Sequence, residues 1–348
     1  MKTHTEKYGV YNGEPIYSYS LENDNGMKLT CLNFGCIVTD IFVPDRTGKF
    51  ENVVLSFQNI DEYIRHQTYF GAIIGRVAGR IKNAEFTLDE KKYLLYANEG
   101  KNHLHGGKDG FHEKIWSART FQGRDEIGVE FSYLSVDGEG GYPGNVHVQV
   151  VYTLTNDNKW HVQISGTTDQ KTLLNMTNHT YFNLSGNGKT DILNHRLTMK
   201  SDKFLELDKN LLPTGNVLNV EGTVFDFRQG RKIRDGIHSS HPQNVIVGHG
   251  YDHPFLLSER EEAIVLVEET NGRKLTIETN QPAVILYTGN SLAEGYRIKE
   301  GIFSKKYLGL CLETQSFPDA VHHAHFPSIV LHPGQRYQSE TTYIFDVE

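Results

Sequence analysis

The chain has 348 residues, with 35 Lys and Arg against 43 Asp and Glu and a formal net charge of −8; that balance argues against the clustered positive surface that nucleic acid or an anionic membrane requires. Hydrophobic residues make up 38% and charged residues 22%, too apolar for a disordered chain and enough for a sizeable core. Three cysteines, Cys31, Cys36 and Cys311, cannot pair completely, and no apolar run approaches the ~20 residues that span a bilayer, so the expected location is the cytoplasm.

Aromatics at 11% together with 33 Gly favour half-buried strands joined by tight turns. In chain order, Lys28 to Val43 predicts two strands meeting near Gly35, and Asn59 to His66 a short helix. From Val146 onward, Val148, Val150, Tyr152 and Leu154 share one face while His147, Gln149 and Thr153 share the other. After the turn Asn156-Asp157-Asn158, the residues Trp160, Val162 and Ile164 alternate with polar neighbours, so the two segments predict an antiparallel hairpin. Gly186-Asn187-Gly188-Lys189-Thr190 looks like the end of a phosphate-binding loop, but the glycine required five positions before Gly188 is Asn183, and a plain loop is expected. Leu275 to Thr279 alternates again. With turn chemistry scattered along the chain and no repeat, the expectation is all-β: one large antiparallel domain over residues 1–348.

Metal chemistry finds little support. His112-Glu113 opens like a zinc-protease helix, yet Trp116 stands where the second histidine belongs. His103 and His105 share a strand face, with His322, His323 and His325 further on, but no carboxylate follows His105 closely, the next being Asp109 and Glu113. No metal and no cofactor are expected.

Five islands combine glycine or aromatic residues with titratable groups: Gly75 to Ile81, Asn102 to Gly107, Thr177 to Leu184, Tyr251 to Phe255, and Cys311 to Gln315. Taken singly, Arg80, His105, His179, Asp252 and Glu313 each have an ordinary structural explanation. Taken together and in this order, the Leu-His-Gly-Gly, Asn-His-Thr-Tyr-Phe-Asn-Leu and Leu-Glu-Thr-Gln islands resemble the aldose 1-epimerase family, the galactose mutarotases. The resemblance runs from about Gly71 to the Pro333-Gly334 turn.

That resemblance implies a large antiparallel β-sandwich, the galactose mutarotase-like supersandwich, with an open sugar-binding cleft. It also implies a cofactor-free interconversion of the α and β anomers of free hexoses such as galactose and glucose. The reaction needs a base for the O1 hydroxyl proton and an acid for ring O5 as C1–O5 breaks. By family position these are Glu313 and His179, whose ordinary pKa values of ~4.3 and ~6.5 suit proton exchange near neutrality. Arg80 and His105 would orient the anomeric end, Asp252 and Gln281 would hold ring hydroxyls, and Tyr181 would form cleft wall. His103 and Asn178 read as supports, and His253 as packing. One departure stands out: many relatives carry Asn before this arginine, where this chain has Gly79, so a hydroxyl contact is lost or filled by water. A glycoside hydrolase using Glu313 and Asp252, a non-catalytic sugar-binding module, or a maltose or hexose-phosphate epimerase fit the same residues. The expected partner is a small sugar, with neither nucleic acid nor membrane.

Overall fold

In the computed structural model, which describes residues 1–259 and 261–348, the alternating segments form three large antiparallel sheets. A five-stranded sheet follows chain order through Lys2–Tyr11, Glu14–Glu22, Lys28–Leu32, Val38–Pro44 and Phe50–Asn52. The nine-stranded sheet runs Ser117–Gln122, Glu126–Ser135, Val146–Thr155, Lys159–Thr168, Tyr337–Val347, Arg273–Thr279, Ile264–Val267, Arg196–Met199, Arg231–Lys232. The six-stranded sheet runs Tyr181–Phe182, Leu310–Gln315, Ala283–Tyr287, Asp252–Leu256, Lys203–Leu207, Pro213–Asn219.

One buried apolar cluster draws on all three: Leu29 and Val38 from the first, Val150 and Trp160 from the second, Phe204, Leu286 and Leu312 from the third. Sheets that share a core through their inner faces make a β-sandwich, as the alternation predicted. The expected hairpin is present, with Val150 opposite Ile164 and Tyr152 opposite Val162, and these side chains are buried. Burying each such apolar side chain contributes about 1.5–3 kcal/mol. The short helix is Ile60–Arg65, begun by Asn59, whose Oδ1 accepts from the Glu62 N–H at 3.2 Å. Gly186 to Thr190 is a loop, with Gly186 and Gly188 at positive φ. Among the described residues no helix is long and apolar enough to cross a membrane.

Candidate active site

The six-stranded sheet has two faces, and period-two alternation decides what each carries. Along Leu310–Gln315, Leu310 and Leu312 enter the core, so Cys311, Glu313 and Gln315 point to the opposite side. Along the neighbouring strands Val284, Leu286 and Phe255 enter the core, whereas Ile285, Tyr287, Asp252 and Pro254 line a cleft with Glu313 and Gln315. Register aligns this floor: Ile285 faces Glu313 across one ladder and Asp252 faces Tyr287 across the next. The resulting cavity has a volume of about 360 Å³, within the usual ~300–1,000 Å³ of small-molecule sites.

The walls come from segments distant in sequence. His179 follows the two-residue strand Thr177–Asn178, which pairs with Ile73–Ile74, and its own N–H donates to the Ala72 carbonyl at 2.9 Å. Asn178 stiffens this turn: its Nδ2 donates to the Gly71 carbonyl at 3.1 Å and to the Tyr152 hydroxyl at 3.3 Å, and its Oδ1 accepts from Thr180 N–H and Oγ1–H. His105 sits at φ 53° beside Gly79, whose N–H donates to His105 Nδ1 at 3.2 Å. Arg80 leaves the same segment and pairs with Glu99. Tyr69 completes the wall, its ring 4.8 Å from His105 and 5.7 Å from His179.

Six of the seven residues named from sequence, Glu313, His179, Arg80, His105, Tyr181 and Asp252, therefore line one cleft. Gln281 does not. It lies in the turn between Arg273–Thr279 and Ala283–Tyr287, its Nε2 donates to Asn280 Oδ1 at 2.8 Å, and it is not among the cleft-lining residues. His103 is held away from the cavity, its Nδ1 on the Tyr96 carbonyl and its Nε2 on the Tyr142 hydroxyl, both at 2.8 Å. His253 is fully buried in packing against Phe204 and Phe225. Sequence reasoning missed Gln315, Cys311, Tyr69 and Glu99. Alternation from Glu313 could have revealed the first two, whereas no local signal marks Tyr69 or Glu99.

His179 Nε2 lies 3.4 Å from Glu313 Oε1, with both side chains 4% exposed. Burial disfavours each charged form. It pushes Glu313 well above the ordinary carboxylate range, helped by the charge of Asp252 and opposed by Arg80, and it pushes His179 down to about 4. Asp252 is also raised, first by burial. Burial works against the charge of Arg80, but Asp252, Glu99 and Glu313 together outweigh it and hold the guanidinium above its usual pKa.

His105, His179 and Glu313 each offer a donor atom, all within 4.8 Å of one another. The donor chemistry suits a metal poorly. A metal-bound imidazole normally donates its second ring N–H to a carbonyl or carboxylate, but His105 Nδ1 accepts from a peptide N–H, which leaves the proton of the neutral ring on Nε2. His179 Nδ1 lies 3.5 Å from the Cys311 thiol, and burial holds that thiol protonated. His105 is thus arranged to present Nε2–H to an oxygen-rich ligand, while His179 Nε2 faces the Glu313 carboxyl.

An antiparallel β-sandwich with a small-molecule cleft and a buried carboxyl–imidazole pair defines the class: a sandwich protein whose cleft is suited to proton exchange with a small molecule. The family model for aldose 1-epimerase matches residues 17–344. Galactose mutarotase from Bos taurus is 41% identical over 335 residues, 95% of this chain and 94% of that protein, and the aldose 1-epimerase of Haemophilus influenzae is 36% identical over 343 residues, 97% of this chain and 98% of that protein. Among solved structures, galactose 1-epimerase from Lactobacillus acidophilus superposes with a TM-score of 0.89 at 30% identity and covers 99% of both chains. The chain belongs to the aldose 1-epimerase family.

Proposed function

We propose that this chain interconverts the α and β anomers of free hexoses such as galactose and glucose, with Glu313 and His179 as the proton-exchanging pair. The observation that carries this reading is the 3.4 Å contact between Glu313 Oε1 and His179 Nε2 in a buried cleft. Ring opening needs a proton removed from O1 and one delivered to O5, and a pair that holds one exchangeable proton returns to its starting inventory after each half-reaction. Whether the proton begins on carboxyl or imidazole, the charged and neutral forms of the pair differ only by its transfer, and the sugar oxygens bridge the two. After rotation about C1–C2 the ring recloses on the other face with the roles reversed. Arg80 and the Nε2–H of His105 are suited to stabilise charge that develops on the sugar oxygens, and Asp252 to accept from ring hydroxyls.

Residues 1–348 serve as one functional unit, a reading supported by the family match over 17–344 and by the core shared among the three sheets. The three free, buried cysteines support a reducing, cytoplasmic setting. Polarimetry of freshly dissolved α-galactose, α-glucose and α-maltose tests activity and preference together. Acceleration above the buffer rate on the monosaccharides is expected. An unchanged rate on all three sugars, or release of new reducing ends from a glycoside, would replace this reading with a binding module or a hydrolase.

A further inference from the structure

Arg80 lies between three carboxylates. Burial opposes its charge, and Asp252, Glu99 and Glu313 sustain it, yet among the described residues its ion pair within 4 Å is with Glu99. That pair is two-toothed: Nε stands 3.0 Å from Oε1 and 2.8 Å from Oε2, and Nη2 is 2.5 Å from Oε1. Planar bidentate geometry of this kind fixes a guanidinium in orientation as well as place. The segment that carries Glu99 is itself fixed. Glu99 and Asn102 exchange backbone hydrogen bonds at 3.1 and 2.9 Å, and Asn98 makes two to the backbone of Leu104, at 3.0 and 2.8 Å. Leu104 pairs with Arg80 across the short ladder, so the carboxylate is anchored to the strand whose arginine it holds. Both side chains line the cleft.

We propose that Glu99 is a positioning residue that holds Arg80 against the cleft wall and so keeps it from forming an ion pair with Glu313 or Asp252. The proposal rests on the epimerase reading above. A guanidinium released from Glu99 finds two buried carboxylates in the same cavity, and pairing with Glu313 would strip the base of the proton that the acid–base pair shares. Held by Glu99 through Nε and Nη2, Arg80 keeps Nη1 for the substrate. Where Gly79 supplies no side chain, the wall beside Arg80 is then Glu99 itself.

The titratable groups that face Glu313 are His179 and Tyr181, His105, Asp252, Arg80, Tyr343 and, on its own strand, Cys311. Of these, Arg80 is the fixed cation. The test compares wild type, Glu99→Gln, Arg80→Ala and the double variant, each checked for native structure by circular dichroism. The readouts are the pH profile of kcat/KM on galactose and a ¹³C-carboxyl NMR titration of Glu313. In Glu99→Gln the alkaline limb and the Glu313 titration should both move down by about one pH unit as Arg80 closes on the carboxyl, with KM rising at least about 5-fold. In the Arg80→Ala background the same Glu99→Gln change should move neither. A Glu99→Gln protein with wild-type profile and titration overturns the proposal, and so does an equal shift with Arg80 absent. The NMR titration needs no turnover: an inactive wild-type protein would remove the epimerase reading while the titrations still decide whether Glu99 restrains Arg80.

Discussion

Gly79 and His105 hold one another twice: the Gly79 N–H donates to the His105 ring at Nδ1 at 3.2 Å, and the Gly79 carbonyl accepts from the His105 N–H at 3.1 Å. The first bond sets which ring nitrogen of His105 faces the cleft. Gly79 reaches this position at φ +79°, where an added Cβ would stand 3.0 Å from Pro318 Cβ. Asparagine tolerates left-handed backbone, and a β-branched residue does not. Gly79→Asn should therefore fold at a cost of about 1 kcal/mol and change the ratio of galactose to glucose rates, while Gly79→Val should cost about 2 kcal/mol or more and raise KM. Urea denaturation and polarimetry measure both effects. A Gly79→Val protein as stable as wild type would show that the peptide can turn without strain.

Glu313→Gln keeps shape and hydrogen-bonding capacity and removes the exchangeable proton. kcat should fall by ~10²–10⁴-fold, and His179→Asn should be comparably damaging. The double variant should lose much less than the product of the single losses, because the two groups act as a unit. Rates must be taken above spontaneous mutarotation. A folded Glu313→Gln protein that turns over at the wild-type rate would remove Glu313 from the reaction.

Burial reverses the order in which the pair titrates. Free side chains would confine activity between protonation of the carboxylate near ~4.3 and deprotonation of the imidazole near ~6.5. In the cleft the imidazole is held down to about 4 and the carboxyl well above its ordinary value. As pH falls through about 4, the imidazole takes a second proton and activity is lost; as pH rises past the raised Glu313 value, the last proton leaves the carboxyl and activity is lost again. The kcat/KM profile should hence carry an acid limb near pH 4 and an alkaline limb above the ordinary carboxylate range, both belonging to the pair. A midpoint near 6.5 on the alkaline side that disappears in His179→Asn would assign the last proton to the imidazole.

Chelators should leave the rate unchanged, because the Nδ1 atoms of His105 and His179 face a peptide N–H and a protonated thiol, not acceptors. The check is dialysis against EDTA followed by polarimetry. Loss of activity that one particular divalent ion restores would contradict it.

An ion cluster lies among residues outside the cleft lining. Glu51, 2% exposed, meets Arg273, 1% exposed, at 3.0 Å and Lys49 at 2.7 Å, and Lys189 caps the other side. Glu51→Ala leaves the buried Arg273 guanidinium with only the longer 3.8 Å carboxylate contact to Asp45 and should cost about 3–5 kcal/mol. Burial opposes the Glu51 charge, but hydrogen bonds from Lys189, Lys49 and Arg273 outweigh it and bring the carboxyl down to about 2. A depressed carboxyl stabilises the fold above its unfolded value of about 4.5, and this contribution is lost as pH falls toward 2. Urea midpoints measured across that window should converge for wild type and Glu51→Ala. Parallel curves would show that the cluster does not titrate with unfolding.

By itself the sequence determined the strands and singled out Glu313 and His179. Alternation over Val146–Thr155 and Lys159–Thr168 reads directly as a half-buried hairpin, because the side-chain period of a strand is two whatever surrounds it. Glu313 and His179 were legible because short islands with distinctive neighbours carry them, although 134 positions separate them in the chain, from 179 to 313. Tertiary structure alone decided what these groups do to one another. Gln281 looked like a hydroxyl binder and lies in a turn outside the cleft, since a residue's type does not reveal which sheet face its strand end meets. Glu99 carries no local mark, because its partner Arg80 is reached across a two-residue ladder that no periodicity announces. The reversed titration order arises from burial, and burial is a property of every segment that closes over the pair, not of either residue.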